Sequence, residues 1–96
     1  MTQYILLIQD NLTGTTTAEE WTTFFSAVHS SGMFKGGSEI GDRIRLGNST
    51  TAQSTDHVVA YMRFDSEDKE KLLALVNQHP VILHGGTVEL CELPKS

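Results

Sequence analysis

"QYILLIQD", residues 3–10, is a continuous apolar run with polar ends. A run of this length is typical of a strand buried on both faces, so it predicts a strand in the middle of a sheet. It is too short to span a bilayer, and it has neither a basic flank nor a small-residue cleavage site. We therefore interpret it as structural and expect a cytoplasmic protein without a membrane partner.

A helix is predicted after the polar turn that follows this strand. Thr17 and Glu20 have the spacing of a capping box, in which each side chain bonds the backbone N–H of the other residue. Gly32 is placed to end the helix. Between them, helical spacing predicts a core-facing stripe of Trp21, Phe24, Phe25 and Val28.

Two strands and a long hairpin loop come next. Residues 33–46 read as an edge strand interrupted by glycines, 47–56 as a polar loop, and 57–64 as a further strand. The following segment predicts a second helix, with Asp65 or Ser66 as its N-cap, which ends before Pro80. We interpret His79 as a surface turn residue and residues 87–93 as the last strand.

The predicted order is strand, helix, strand, strand, helix, strand across one domain of residues 1–96. This order indicates an α+β, ferredoxin-like βαββαβ split duplication, with a four-stranded antiparallel sheet and both helices on one face. The strand segments at 3–8 and 57–64 carry apolar residues on both faces, whereas the helices can cover only one. We therefore expect a homodimer that packs through the uncovered sheet face.

Composition excludes several classes of function. The net charge of −5 repels a phosphate backbone, so a nucleic-acid partner is not expected. The single cysteine, Cys91, cannot form an internal disulfide, and no Cys/His spacing resembles a zinc site. We predict neither a metal nor a cofactor.

A doublet of similar motifs raises a question about ligand binding. Lys35-Gly36-Gly37-Ser38 and His84-Gly85-Gly86-Thr87 each combine a basic residue, two glycines and a hydroxyl residue. In one interpretation the glycine pairs are equivalent corners of two βαβ halves. In the other, their exposed amides form an anion-binding nest. Gly36, Gly37, Gly85 and Gly86 are therefore candidate ligand-binding residues.

Four stretches together resemble the YCII-related (DGPF-type) domain family over nearly the whole chain. They are "QYILLIQD", "VHSSGMFKGGSEIGDRIRL" at 28–46, "FDSEDKEKLLALVNQHP" at 64–80 and "GGTVELCELP" at 85–94. The resemblance implies a dimeric α/β barrel with a site in a cleft of each subunit. It also implies a His-Asp acid/base pair. In this chain the family's histidine position falls near Trp21, and Asp42 matches the aspartate.

The remaining candidates follow from side-chain chemistry. His84 and His29 can exchange protons near neutral pH, so either could act with Asp42 as an acid/base pair. Arg45, with Tyr61 on the neighbouring strand, could bind a ligand carboxylate. Three functions stay open: a dimer that binds a small molecule without catalysis, an enzyme of lyase or hydrolase type, and a structural or partner-binding module.

Overall fold

The computed structural model describes residues 1–95 and has an α+β architecture, in which three helices accompany one sheet of four antiparallel strands. In chain order the elements are β1 (Thr2–Gln9), α1 (Ala18–Ser30), β2 (Phe34–Glu39), β3 (Val58–Ser66), α2 (Lys69–Val76), α3 (Pro80–Leu83) and β4 (Val88–Leu93). Among the described residues, no helix combines the length and the apolar character needed to cross a membrane.

Strand β1 lies inside the sheet, as its apolar sequence predicts. The strand order is β2-β3-β1-β4, and Leu6 of β1 is paired with Met62 of β3 on one side and Leu90 of β4 on the other. Strand β2 is an edge strand, also as predicted. This antiparallel order is compatible with a ferredoxin-like arrangement.

One face of the sheet carries the hydrophobic core. Tyr4, Leu6 and Ile8 alternate along β1 and are buried, whereas Ile5 and Leu7 point to the opposite face and are half-buried. Both longer helices contribute to the same core. Its buried members are Tyr4, Leu6, Ile8, Phe24, Val28, Met33, Met62, Phe64, Leu72, Leu75, Val76 and Val81.

The capping box at the start of α1 is confirmed. The Thr17 hydroxyl accepts a hydrogen bond from the Glu20 amide at 3.2 Å, and the Glu20 carboxylate accepts one from the Thr17 amide at 2.8 Å. The predicted cap of α2 is wrong, because Asp65 and Ser66 continue β3 and pair with β1. Asp68 is the N-cap, and its carboxylate accepts from the Lys71 amide at 3.1 Å.

The second strand is shorter than its sequence predicts. It ends at Glu39, and residues 40–57 form neither helix nor strand. Its partner β3 begins only at Val58, so the residues after Ile40 have no neighbouring strand with which to pair. The Arg43 guanidinium instead donates hydrogen bonds to the backbone oxygens of Thr55 and Val58, which fastens this segment to the start of β3.

The two glycine pairs are not equivalent corners. Gly36 and Gly37 lie within β2, where the register with β3 shifts and Gly36 has a φ of 122°. Gly85 and Gly86 lie between β4 and the short helix α3, which the sequence pattern did not predict. The first pair thus accommodates a strand irregularity, and the second ends a short helix.

We predict that Gly37→Ala destabilises the protein by about 1–3 kcal/mol, because added atoms in a well-packed sheet force the backbone to move. A Cβ atom at this position would lie 2.4 Å from the Tyr61 carbonyl oxygen and 3.0 Å from the Met62 Cα. Urea unfolding measures the loss. Gly41→Ala is the matched control, since its Cβ would meet nothing within 4 Å. Equal stability of the two variants would contradict the prediction.

Candidate functional site

A cleft of about 680 Å³ opens between the sheet and the start of α1. Its floor comes from β1 and β3, and its walls from the loop after β1, the helices α1 and α3, and the edge strand β2. The lining residues are Ile8, Gln9, Asp10, Leu12, Thr16, Trp21, Phe25, Phe34, Gly37, Ser38, Glu39, Ile40, Val59, Ala60, Tyr61, Met62, His79 and Val81. Most of these side chains are apolar, so the cleft suits an apolar body.

Aromatic rings from α1 form one wall of the cleft. Trp21 stacks on Phe25 with 5.7 Å between the ring centroids, and its indole N–H donates to the Thr16 hydroxyl at 2.9 Å. The sequence predicts that all three aromatics of α1 are core. That is correct for Phe24 and wrong for Phe25, which is 39% exposed, whereas Trp21 is half-buried and packs against the core. On the surface of α1, Trp21 and Phe25 form one row and Phe24 and Val28 form the next. The first row therefore lies at the side of the core, not over its centre.

His79 lies in the wall of the cleft and is completely buried, so its interpretation as a surface turn residue is wrong. The reason is the short helix α3, which the sequence pattern did not predict. Pro80 occupies its first turn, and His79 is its N-cap: the imidazole Nδ1 accepts a hydrogen bond from the Val81 amide at 3.1 Å. The capping bond draws the ring into the protein interior.

Aromatic rings surround the His79 imidazole. Trp21 and Phe24 meet it at ring-centroid distances of 5.2 and 4.8 Å, with the rings steeply inclined to one another. Burial in these surroundings lowers the pKa of His79 to about 4, because the imidazolium loses its hydration. The ring is therefore neutral near pH 7. Its other nitrogen, Nε2, is buried without a hydrogen-bond partner in the part of the chain that the structure describes.

His84 is paired with Glu20. Its Nε2 lies 2.8 Å from both carboxylate oxygens, and the two side chains are about one-quarter exposed, at 25% and 26%. The hydrogen bond from His84 holds the pKa of the Glu20 carboxyl below its ordinary value, and the Thr17 amide adds to this effect. The pair therefore joins the start of α1 to the end of α3. Neither residue is among those that line the large cleft.

The other predicted acid/base residues lie apart from this pair. Asp42 lies in the exposed segment after β2. His29 is exposed near the end of α1, where its ring meets Phe34 edge-on at a centroid distance of 5.3 Å. The ring nitrogen of His84 bonds Glu20, not Asp42. Of the predicted ligand-binding residues, Tyr61 and Gly37 line the cleft, whereas Arg45 is exposed in the segment after β2.

The Gly85-Gly86 amides are already hydrogen-bonded. The Gly85 N–H donates to the Ile82 carbonyl at 3.3 Å, and the Gly86 N–H donates to the Val81 carbonyl at 2.8 Å. These bonds close the C-terminal end of α3, so the amides are not free to bind an anion. Gly36 likewise lies outside the lining of the cleft. The glycine pairs therefore shape the backbone, and of the four glycines only Gly37 lines the cleft.

Two carboxylates lie at the rim of the cleft. Asp10 follows β1 and Glu39 ends β2, and both are exposed. Their charges disfavour an anion at the entrance.

His79 was interpreted as a surface turn residue, although the local sequence carries a signal for its true position. A histidine followed by a proline, at the start of an apolar segment, is an order in which the proline can begin a new helix. That signal would have placed the imidazole at an N-cap.

No family model, curated protein or solved structure matches the chain.

We predict that the free energy of unfolding falls by about 3 kcal/mol as the pH is lowered from 6.5 to 4. Above this window His79 is neutral in both states. Within it the unfolded chain binds a proton that the folded chain does not, so acid favours unfolding. Urea unfolding at a series of pH values measures the slope.

The control variant for this prediction is His79→Asn, whose amide oxygen can still cap α3. It should lose most of the pH dependence within the window, whatever its absolute stability. Glu20, whose pKa is also lowered, is present in both proteins. The difference between their two pH profiles therefore gives the contribution of His79 alone. Parallel pH profiles would show that His79 has the same pKa in the folded and unfolded chains, which would contradict the prediction.

Proposed function

We propose that this chain is a YCII-related, ferredoxin-like homodimer that binds a small, largely apolar molecule in the cleft of each subunit without transforming it. The observation that carries this proposal is the cleft itself, with a volume of about 680 Å³ and aromatic walls. Protein sites for small molecules are typically about 300–1,000 Å³ and mainly apolar, with few polar groups. Size and lining therefore both support a binding site.

The charges around the cleft restrict the ligand. Asp10 and Glu39 are at the rim, and the exposed Arg45 is not among the lining residues. An anionic ligand would therefore meet like charges and no arginine inside the cleft. A neutral molecule meets neither repulsion nor the cost of burying a charge against Trp21 and Phe25. We infer that the ligand is uncharged.

The arrangement of titratable groups supports binding over catalysis. The acid/base pair of the enzyme hypothesis requires a histidine beside Asp42, but the His84 ring is bonded to Glu20 outside the cleft. His79 does line the cleft, yet its pKa of about 4 leaves it without an acidic proton to transfer near pH 7. Its Nδ1, the basic nitrogen, is occupied by the Val81 amide.

The proposed dimer uses the sheet face that lies opposite the core. Ile5 and Leu7 of β1 occupy this face, together with Cys91, the partner of Ile5 on β4. These apolar side chains are half-buried within one chain, so pairing with a second copy would remove their remaining surface from water. The cleft is on the other face, where it stays open to a ligand.

We predict that α-methylstyrene, a neutral aromatic probe, binds the cleft saturably. Trp21 is the single tryptophan of the chain and lies in the cleft wall, so its indole N–H signal in NMR reports occupancy. Ala60→Phe places a ring in the cleft and should abolish binding. The matched control is Ala74→Phe on the exposed side of α2. Unsaturable shifts, or equal binding by both variants, would refute the site.

We predict that the wild-type protein is dimeric at micromolar concentration by light scattering, and that Leu7→Glu is monomeric. A carboxylate at this position would be removed from water at the sheet interface, directly across from Glu89 of β4, which is costly. Ser26→Glu, on the exposed surface of α1, introduces the same charge away from the sheet and should leave the dimer intact. Circular dichroism checks that both variants are folded. A monomeric wild type would overturn the dimer.

A further inference from the structure

Two apolar side chains stand in water beside the edge strand. Ile44 and Leu46 are the most exposed large apolar residues among residues 1–95, at 84% and 89%. They belong to the segment after β2 that forms neither helix nor strand. With Ile40 they occupy even-numbered positions, so in an extended chain all three side chains point to the same side. Any apolar surface that removes Ile44 and Leu46 from water therefore gains free energy.

This segment is rooted at the mouth of the cleft. Ile40 lines the cleft, and its N–H donates at 2.8 Å to the carbonyl of Val59, which is also a lining residue. Three residues further along, the Arg43 guanidinium donates to the backbone oxygens of Thr55 and Val58. The chain therefore leaves the rim of the cleft and returns to it.

The residues between these anchors, 44–54, form what we call the rim loop, and they are held loosely. Every residue of 41–57 is exposed. Within the part of the chain that the structure describes, no backbone group of residues 41–54 bonds another backbone group. Gly41 precedes the loop and Gly47 lies within it with a φ of 83°, and a Cβ at either position would meet nothing within 4 Å. A segment with so few contacts changes conformation at low cost.

We propose that the rim loop is a lid that closes over a ligand in the cleft, with Ile44 and Leu46 packed on the apolar body of that ligand. The inference rests on the proposed binding function and adds the part of the chain that encloses the ligand. Ile44 lies four residues after the lining residue Ile40, so at the extended limit of about 3.6 Å per residue its Cα is within about 14 Å of that lining. Changes of backbone angles between Gly41 and Gly47 can therefore bring it over the opening.

The composition of the rim loop suits a lid with an inner and an outer side. After Leu46, residues 47–54 are glycine, alanine and polar residues, which can stay in water when Ile44 and Leu46 turn inwards. The ligand supplies the difference in free energy between the open and closed states. Without it the two side chains gain few contacts by closing, whereas with it their surface and that of the ligand leave water together.

The test compares the wild type with the double variant Ile44→Ser/Leu46→Ser, using the full chain and α-methylstyrene as the probe. Both residues are exposed, so the substitutions remove apolar atoms from the loop without disturbing the core. We expect the dissociation constant, measured from the Trp21 indole signal, to rise about tenfold. The matched control is Leu83→Ser on α3, since Leu83 is 57% exposed and does not line the cleft, and its dissociation constant should not change.

Two further signals report closure directly. Saturating α-methylstyrene should slow the amide hydrogen exchange of residues 41–54 severalfold in the wild type, because a closed loop excludes water from groups that lack backbone hydrogen bonds in the open one. The bound probe should also give nuclear Overhauser effects to the methyl groups of Ile44 and Leu46.

The outcomes separate the lid from the function on which it rests. If α-methylstyrene does not bind the wild type saturably, the binding function fails and the lid fails with it. If it binds the wild type and the double variant equally, the cleft is a binding site and the lid is wrong. If the double variant keeps its affinity for the probe but loses the dimer in light scattering, Ile44 and Leu46 contact a second copy, which also overturns the lid. A loss of affinity confined to the double variant, with Overhauser effects to Ile44 and Leu46 in the wild type, supports the proposal.

Discussion

The structure depends on β1 being paired along both of its edges. Every residue of Gln3–Ile8 has a partner on β3 and another on β4, so the strand satisfies its backbone groups on both sides. The alternation of its side chains then assigns two faces to the sheet. Tyr4, Leu6 and Ile8 fix the face on which the helices pack. The core, the cleft and the sheet face opposite the core all follow from this assignment.

The cleft exists because the helices do not cover the whole of that face. Helix α1 packs through Phe24 and Val28, while Trp21 and Phe25 in the neighbouring row stand beside the core instead of within it. Strand β2 is short and ends at the opening. The space between them has an apolar lining that no side chain of the described residues fills, and this is the physical basis of the proposed small-molecule site.

The sequence predicted regular features well and failed where long-range contacts decide. Periodicity placed β1 at the centre of the sheet, and the spacing of Thr17 and Glu20 predicted their reciprocal hydrogen bonds, because these signals are local. The end of β2 depends on where its partner strand begins, some twenty residues later. The Glu20–His84 pair joins residues 64 positions apart, and nothing in the local sequence indicates it. His79 was misjudged because the residue before a proline was taken as an end, not as the cap of a new helix.

The local chemistry of His79 and Pro80 links the start of α3 to the wall of the cleft. A proline at the start of α3 has no N–H, so the first amide in need of a partner is that of Val81, and the His79 side chain supplies it. That bond selects one tautomer and holds the ring among aromatic side chains, where protonation is costly. A helix cap thereby produces a neutral donor that cannot find an acceptor in its own surroundings. The two nitrogens of this ring thus differ: Nδ1 caps α3, and Nε2 is a buried N–H donor without an acceptor among the described residues.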